Sequence, residues 1–201
     1  MVGNGIERTE VLGEAPVRKP NRFIWASCPT RGLDTLLEAW PRICARSPGA
    51  ELHVYYGFDM IKAVMNNRPP EIQKILSQKI AKIESLRHQV GVEWIGRVSV
   101  AAVSEAMKGA GVFAYPADFD EGFCAAAARA QACGCWPVVY NRAALAETVA
   151  WGSVATPESF VDNCIEMAEN PDDRNGMRAW ARSAFAWERV ADKFERMMEE
   201  P

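Results

Sequence analysis

Short apolar segments alternate along the chain with longer stretches in which apolar residues recur every three or four positions. Short apolar runs of this kind are typical of buried strands. We predict six strands, over Arg22–Ser27, Glu51–Gly57, Val92–Gly96, Gly111–Pro116, Pro137–Tyr140 and Ser153–Thr156.

The stretches between these strands have the periodicity of amphipathic helices. Segments 33–46 and 71–90 each place apolar residues on one stripe, and the lysines of the second segment are expected on its solvated face. Strands that alternate with helices form βαβ units, so we predict an α/β fold with a Rossmann-like, doubly wound sheet. The sheet is expected to be mostly parallel, with about six strands and helices on both faces.

The loop after the first strand is a candidate binding site, because such sheets bind ligands beyond the carboxyl ends of their strands. Ser27, Thr30 and Arg31 stand there, before a helix expected to start between Gly32 and Asp34. Free amide groups at a helix amino end attract phosphate, and a guanidinium strengthens that attraction. Arg31 is therefore the leading phosphate ligand, with a plain surface charge as the alternative.

The loop after the fourth strand is the second candidate. Glu121 precedes a helix expected to begin near Gly122, where the absence of a side chain lets a ligand approach the backbone. Arg129 stands further along, in a helix otherwise made almost wholly of alanine. Asp118 and Asp120 form a D-x-D pair, a type that can hold a divalent cation, but so short a match is weak evidence for a metal.

The composition limits the possible functions. The chain has 201 residues, 49% apolar and 24% charged, as in an ordinary globular protein, and one domain is favoured. Lys and Arg number 23 against 26 Asp and Glu, so no nucleic-acid partner is expected. No apolar run approaches the roughly 20 residues of a membrane span and the amino end lacks a signal-peptide core. We expect a cytoplasmic protein without an integral membrane segment.

The six cysteines are scattered through apolar segments, and we expect reduced, buried thiols. Cys133 and Cys135 form a C-x-C pair, but with two histidines in the chain no second ligand pair has the spacing of a zinc site. We therefore predict no metal. The first strand is not followed by G-x-G-x-x-G, which argues against a nicotinamide dehydrogenase.

Several segments together resemble a known family. They are RGLDTLLEAWPRI at 31–43, ELHVYYG at 51–57, WIGRVS at 94–99, the run 115–149 and FAWERVADKFERMM at 185–198. In this order they are similar to the carboxy-terminal domain of GT-B glycosyltransferases of the family 4 type. The resemblance implies a nucleotide-sugar-binding domain over residues 20–201. Residues 1–19 are then an interdomain linker or amino-terminal arm, because GNGIE at 3–7 looks like the stretch where that second domain begins.

The resemblance implies a function as well. Such enzymes transfer a sugar from a nucleotide-diphosphate sugar to an acceptor hydroxyl, with retention of configuration and without a bound metal or other cofactor. The acceptor contacts would come from an acceptor domain or a partner chain, so we expect this chain to be inactive alone. The alternative is a non-catalytic nucleotide-binding or protein-partner module derived from such a domain.

The resemblance also assigns site residues. Glu121 matches the first glutamate of the family's paired motif and Arg31 the position of a diphosphate-binding lysine, so these two are the expected catalytic residues. The family's earlier arginine falls near Ala26 or Ser27, so one positive charge is lost there. The other expected donor and phosphate contacts are Ser27, Thr30, Gly32, Gly122, Phe123 and Cys124. On the nucleoside side we expect Gly96, Arg97, Val98, Arg129, Asn141 and Glu147.

Arg129 departs from the family pattern, because it stands where the second glutamate of the motif is expected. A carboxylate accepts hydrogen bonds from ribose hydroxyls, whereas a guanidinium has five donors and no acceptor. Three interpretations stay open. Arg129 binds a phosphate oxygen in place of the missing charge, pairs with a neighbouring acid such as Glu147, or reflects drift in a domain that no longer transfers sugar.

Overall fold

The sheet at the centre of the protein has six strands, all of them paired in parallel. A computed structural model describes residues 4–14, 16–169 and 173–199. Strands β1 to β6 span Lys19–Trp25, Glu51–Val54, Val92–Trp94, Ala110–Tyr115, Trp136–Tyr140 and Ser153–Ala155. Every predicted strand is present, and the predicted Rossmann-like α/β sheet is confirmed.

Helices fill the connections between these strands. In the described part of the chain, helices α1 to α10 span Arg8–Val11, Leu33–Arg46, Asp59–Met65, Pro70–Leu86, Val100–Gly109, Ala125–Cys133, Leu145–Thr148, Phe160–Glu169, Arg174–Ala184 and Trp187–Glu199. A short 3-10 turn at Pro29–Arg31 precedes α2. None of the described helices is long and apolar enough to cross a membrane.

The strand order creates a crevice between β1 and β4. The sheet runs β3-β2-β1-β4-β5-β6, so the chain adds strands on one side of β1 and then returns to its other side. At this switch point the loops that follow the two central strands lead to helices on opposite faces of the sheet, which leaves space for a ligand. The fold therefore places the loop after β1 opposite the loop after β4.

The core explains why the central elements form where the sequence predicts them. Every residue of β4 is buried, as expected for a central parallel strand covered on both faces. The predicted stripe of α2 is buried, and burial of each large apolar side chain contributes roughly 1.5–3 kcal/mol. The buried apolar residues of this stripe are Leu33, Leu36, Leu37, Trp40 and Ile43.

Helix α4 departs from the prediction. In its described residues only Ile83 is fully buried, while Ile72 and Ile75 are 42% and 50% exposed. The carboxyl half of the helix packs near α2 and the 3-10 turn, where Lys79 contacts the loop after β1. The predicted apolar stripe is therefore buried only in that half, and Lys79 is not simply solvated.

The amino-terminal arm, residues 4–18 without residue 15, packs on the domain rather than extending away from it. Ile6 and Val11 are 2% and 0% exposed, and the Ile6 N–H donates to the carbonyl of Phe185 at 2.8 Å. Helix α1 contacts α5 and α6, and the carbonyl of Val11 accepts a hydrogen bond from Arg182. The arm is thus anchored by apolar burial and by backbone hydrogen bonds.

The cysteines are all free thiols, and four of the six are buried. Burial raises the pKa of Cys133 to about 11 and that of Cys124 to about 12. Thiols with raised pKa values stay protonated at neutral pH and are poor nucleophiles. The four buried cysteines therefore pack as small apolar residues, whereas Cys28 and Cys44 are partly exposed, contrary to the expectation that all six are buried.

Candidate functional site

Two neighbouring cavities open at the carboxyl edge of the sheet. The first cavity, about 310 Å³, lies between the loops after β1 and β4 and the amino end of α6. The second cavity, about 230 Å³, lies between the ends of β1 and β2, the loop after β3, and helices α5 and α6. Six predicted residues line the first cavity: Ser27, Arg31, Glu121, Phe123, Cys124 and Arg129. The second is lined by the predicted residues Arg97, Val98 and Arg129.

A buried network links both sides of the first cavity. The Tyr115 hydroxyl donates to Glu121 Oε1 at 2.6 Å, and Arg31 Nη1 donates to the same oxygen at 3.1 Å. Ser27 Oγ lies 3.2 Å from the Tyr115 hydroxyl. Because Tyr115 uses its proton on Glu121, Ser27 is the donor to Tyr115. Burial, together with the nearby Cys124 and Glu121, raises the pKa of Tyr115, which remains a neutral donor.

Arg31 is held in place by two different contacts. Its guanidinium pairs with the Glu121 carboxylate, whose side chain is 8% exposed, and lies 4.5 Å from the centre of the Phe119 ring. Partial burial is the largest single influence on Arg31 and lowers its pKa, but Glu121, Tyr115 and Cys28 together outweigh burial, so the pKa of Arg31 is raised. Arg31 therefore presents a fixed positive charge, with further donors, to the first cavity.

Gly32 brings the two loops together. Its backbone has φ +117°, and a Cβ at this position would lie 2.4 Å from the carbonyl oxygen of Pro116. Its N–H donates to the carbonyl of Pro29, so this amide is already engaged. Thr30 and Gly32 are not among the described residues that line either cavity. The Thr30 carbonyl instead accepts a hydrogen bond from Lys79 at 3.1 Å.

The loop after β4 differs from the prediction at its end. Helix α6 begins at Ala125, not near Gly122, because Gly122 and Phe123 lie in an irregular turn. That turn is fixed by a hydrogen bond from the Ala144 N–H to the Glu121 carbonyl at 3.1 Å. The amino end of α6 still faces the first cavity, through Ala125 and Ala126. Its amides and dipole favour an anion there.

The acidic D-x-D pair is engaged in ion pairs. Asp118 pairs with Lys79, and Asp120 Oδ1 accepts from Arg142 Nε at 2.6 Å. Within the described residues, no group of three or more His, Cys, Asp and Glu side chains is placed to hold a metal ion.

The other predicted residues lie elsewhere. Gly122 and Glu147 line a third cavity of about 210 Å³, which shares Phe123 with the first. Asn141 lines a separate pocket beside Arg142. Gly96, with φ +83°, ends the β3 segment and is not among the described residues that line the two main cavities.

The acid beside Arg129 is Glu10, not Glu147. Arg129 Nη2 lies 3.4 Å from Glu10 Oε2, and Glu147 on α7 faces the third cavity instead. Sequence reasoning missed Glu10, because nothing in its local pattern indicates that the arm folds back onto α6. Tyr115 and Tyr56 were also missed, although both stand one residue before the carboxyl end of a predicted strand, near where ligand contacts are expected.

Comparison with known proteins identifies the family. The sequence model of the family described as Glycosyl transferases group 1 matches residues 26–184, well over half of the chain. The chain belongs to this family. No match was found among curated protein sequences.

Solved structures share the fold of this glycosyl transferase domain at low identity. A glycosyltransferase from Rickettsia africae ESF-5 has a TM-score of 0.67 and 12% identity, and the match covers 99% of this chain and 56% of that one. The Anabaena protein HepE in complex with UDP and glucose has a TM-score of 0.65 and 14% identity, covering 90% and 48%. An α,α-trehalose 6-phosphate synthase from Burkholderia multivorans has a TM-score of 0.65 and 14% identity, covering 90% and 42%.

These matches confirm the predicted resemblance to the carboxy-terminal domain of GT-B glycosyltransferases at the level of family and fold. The chain spans about half the length of the three structures. Assignment to family 4 within this fold stays a prediction.

Proposed function

We propose that this chain is the donor-binding domain of a glycosyltransferase that moves a sugar from a nucleotide-diphosphate sugar to an acceptor hydroxyl. One observation carries the proposal: Arg31 and Glu121 pair inside a cavity at the switch point of a parallel sheet. This arrangement offers a cation and the amino end of α6 to a diphosphate, and a carboxylate to sugar hydroxyls. The Anabaena structure with UDP and glucose supports this ligand class.

In the proposed reaction the bond between the sugar carbon and the diphosphate oxygen breaks, and the acceptor oxygen bonds to that carbon. The electron pair of the broken bond stays on the departing diphosphate, where negative charge develops. The acceptor hydroxyl loses its proton, and the departing diphosphate is a base that can take it. Preorganised donors aimed at developing charge supply the largest stabilisation in reactions of this kind. Arg31 and the first amides of α6 are the donors in this chain.

The proposed reaction is retaining and metal-independent. Retention rests on the family 4 resemblance. Metal independence is supported by the fixed charge of Arg31 and by the ion pairs that engage Asp118 and Asp120. Because the chain spans about half of the matched structures, we assign the acceptor site to another domain or a partner chain. Transfer by this chain alone is expected to be negligible.

The test is thermal unfolding with uridine, guanosine, adenosine and cytidine diphosphates. A ligand that binds only the folded state at 100 times its Kd stabilises it by about 2.7 kcal/mol, which for a domain of this size is a rise of roughly 5–11 °C in Tm. Arg31→Gln should lose this shift. Arg142→Gln is the matched control and should keep the shift, because Arg142 pairs with Asp120 and is not among the described residues that line the first cavity. A wild-type protein that none of the four diphosphates stabilises would refute the proposal.

The alternative, a module that binds a nucleotide or a protein without transferring sugar, has its own support. Arg129 replaces the second carboxylate of the motif, and α10 exposes large apolar side chains. The exposed apolar residues of α10 are Trp187, Phe194, Met197 and Met198. Sugar transfer by this chain in the presence of the proposed acceptor domain or partner chain decides between the two. Binding of a diphosphate without sugar transfer would favour the module.

A further inference from the structure

Arg129 lies at the junction of the first and second cavities. The residues that the two cavities share are Ala26, Tyr56, Ala126 and Arg129, and Arg129 carries the only charge among these four. A ligand that occupies both cavities must therefore pass beside this guanidinium. In a nucleotide-diphosphate sugar, the group between the nucleoside and the sugar is the diphosphate.

The hydrogen-bonding capacity of Arg129 is largely unused. The described residues supply one acceptor, Glu10 Oε2, at 3.4 Å, and the buried Nε has no partner among them. A guanidinium has five N–H donors, and leaving a buried donor unsatisfied costs roughly 1–3 kcal/mol. The Arg129 side chain is 16% exposed, so few of these donors reach bulk water. This geometry favours an acceptor-rich anion at the junction.

The Glu10 side chain can lose its contact with Arg129 while the arm stays docked on the domain. Its contact with Arg129 is long, and its side chain is 28% exposed, so water can replace the guanidinium around the carboxylate. The arm itself is held by the buried Ile6 and Val11 and by the Arg182 hydrogen bond to the Val11 carbonyl. Loss of the Glu10 contact therefore leaves the main anchors of the arm intact.

We propose that Arg129 binds a phosphate of the donor opposite Arg31, and that Glu10 is a competing counter-ion which the phosphate displaces. This inference rests on the proposed function. It explains how the first cavity holds a dianionic group between two guanidiniums, Arg31 from the segment after β1 and Arg129 from α6. Arg129 thereby selects for the phosphate of the ligand, not for its ribose.

The experiment is calorimetric titration of the full chain with a nucleoside diphosphate, the matching nucleoside and inorganic pyrophosphate. Arg129→Gln should weaken diphosphate and pyrophosphate binding by roughly 10- to 100-fold, as expected for loss of a hydrogen bond to a charged group. Nucleoside binding should change by less than about threefold. Arg22→Gln is the control, because Arg22 pairs with Glu51 at 2.7 Å at the opposite end of the sheet.

Glu10→Gln tests the competition without altering Arg129. We expect roughly two- to fivefold tighter diphosphate binding, because one competing charge is removed from a partly exposed pair. Glu51→Gln is the matched control and should leave the affinity unchanged. The gain from Glu10→Gln should disappear in the Arg129→Gln background. The melting temperature of each variant without ligand confirms that it is folded.

The outcomes separate the two proposals. If the wild type binds none of the four diphosphates, both the proposed function and this inference are overturned. If it binds one, and Arg129→Gln binds it as tightly as Arg22→Gln does, only the phosphate role of Arg129 is overturned. If Glu10→Gln matches Glu51→Gln, the competition is overturned and Glu10 is a structural partner of Arg129.

Discussion

Replacing Tyr115 by Phe removes one oxygen from the centre of the buried network and leaves the ring in place. The lost bond is short, 2.6 Å to Glu121 Oε1, and its acceptor is a carboxylate that is 8% exposed. Hydrogen bonds to charged groups contribute roughly 1.5–3 kcal/mol net. The ring contacts of Tyr115 with Trp25 and Phe113 do not depend on the hydroxyl. We expect Tyr115→Phe to lower the free energy of unfolding by about 2 kcal/mol.

The assay is urea denaturation at neutral pH, with thermal unfolding as a second measurement. For a domain of this length, a loss of about 2 kcal/mol corresponds to a fall in Tm of roughly 4–8 °C. Ser27→Ala is the matched control, because Ser27 Oγ donates to the same hydroxyl at 3.2 Å from a partly exposed position. Water can replace that donor, so its loss should cost less than about 1 kcal/mol.

A double-mutant cycle shows whether the effect arises from the bond to Glu121. If it does, Tyr115→Phe should cost about 1–2 kcal/mol less in a Glu121→Gln background than in the wild type, since neighbours in one network are coupled. A Tyr115→Phe protein within about 0.5 kcal/mol of the wild type, or a cycle without coupling, would show that Tyr115 does not hold the carboxylate.

Three further predictions concern backbone, arm and thiols. Gly32→Ala should lower the free energy of unfolding by more than ~2 kcal/mol in urea denaturation, because Gly32 has a positive φ and a Cβ there would clash with the Pro116 carbonyl. Gly122→Ala is the control and should be nearly neutral, because a Cβ at Gly122 meets no atom within 4 Å. Val11→Ala should lower the free energy of unfolding by roughly 2 kcal/mol, because Val11 is buried where the arm docks on the domain. Val17→Ala should leave it almost unchanged, because Val17 is 93% exposed, and equal effects of the two variants would contradict docking of the arm. Burial raises the pKa of the Cys133 thiol to about 11 in the folded protein, so as pH rises this thiol loses its proton at a lower pH in the unfolded chain than in the folded one. Stability should therefore fall as pH rises above about 8.5, and Cys133→Ala should flatten this fall in reducing buffer.

The sheet and the pair Arg31 and Glu121 can be predicted from the sequence because the signals that indicate them are local. Strand alternation and the α2 stripe depend on spacing within one segment, and Arg31 and Glu121 each stand in the connection that follows a strand. The parts that it does not predict depend on contacts between distant segments. Glu10 reaches Arg129 only because the arm packs beside α6, and α4 buries its apolar residues only where it meets α2. No spacing along the chain encodes either contact.

The two oxygens of Glu121 have separable roles. Among the described residues, both hydrogen bonds to this carboxylate, from Tyr115 and Arg31, end on Oε1. Oε1 therefore fixes the orientation of the side chain and the charge of Arg31, while Oε2 remains as the acceptor that the side chain can offer to a ligand in the first cavity. A carboxylate that served only as the counter-ion of Arg31 would not need a hydrogen bond from the Tyr115 hydroxyl as well. The second donor holds the group in one orientation, which the proposed function requires if Glu121 is to distinguish one sugar hydroxyl from another.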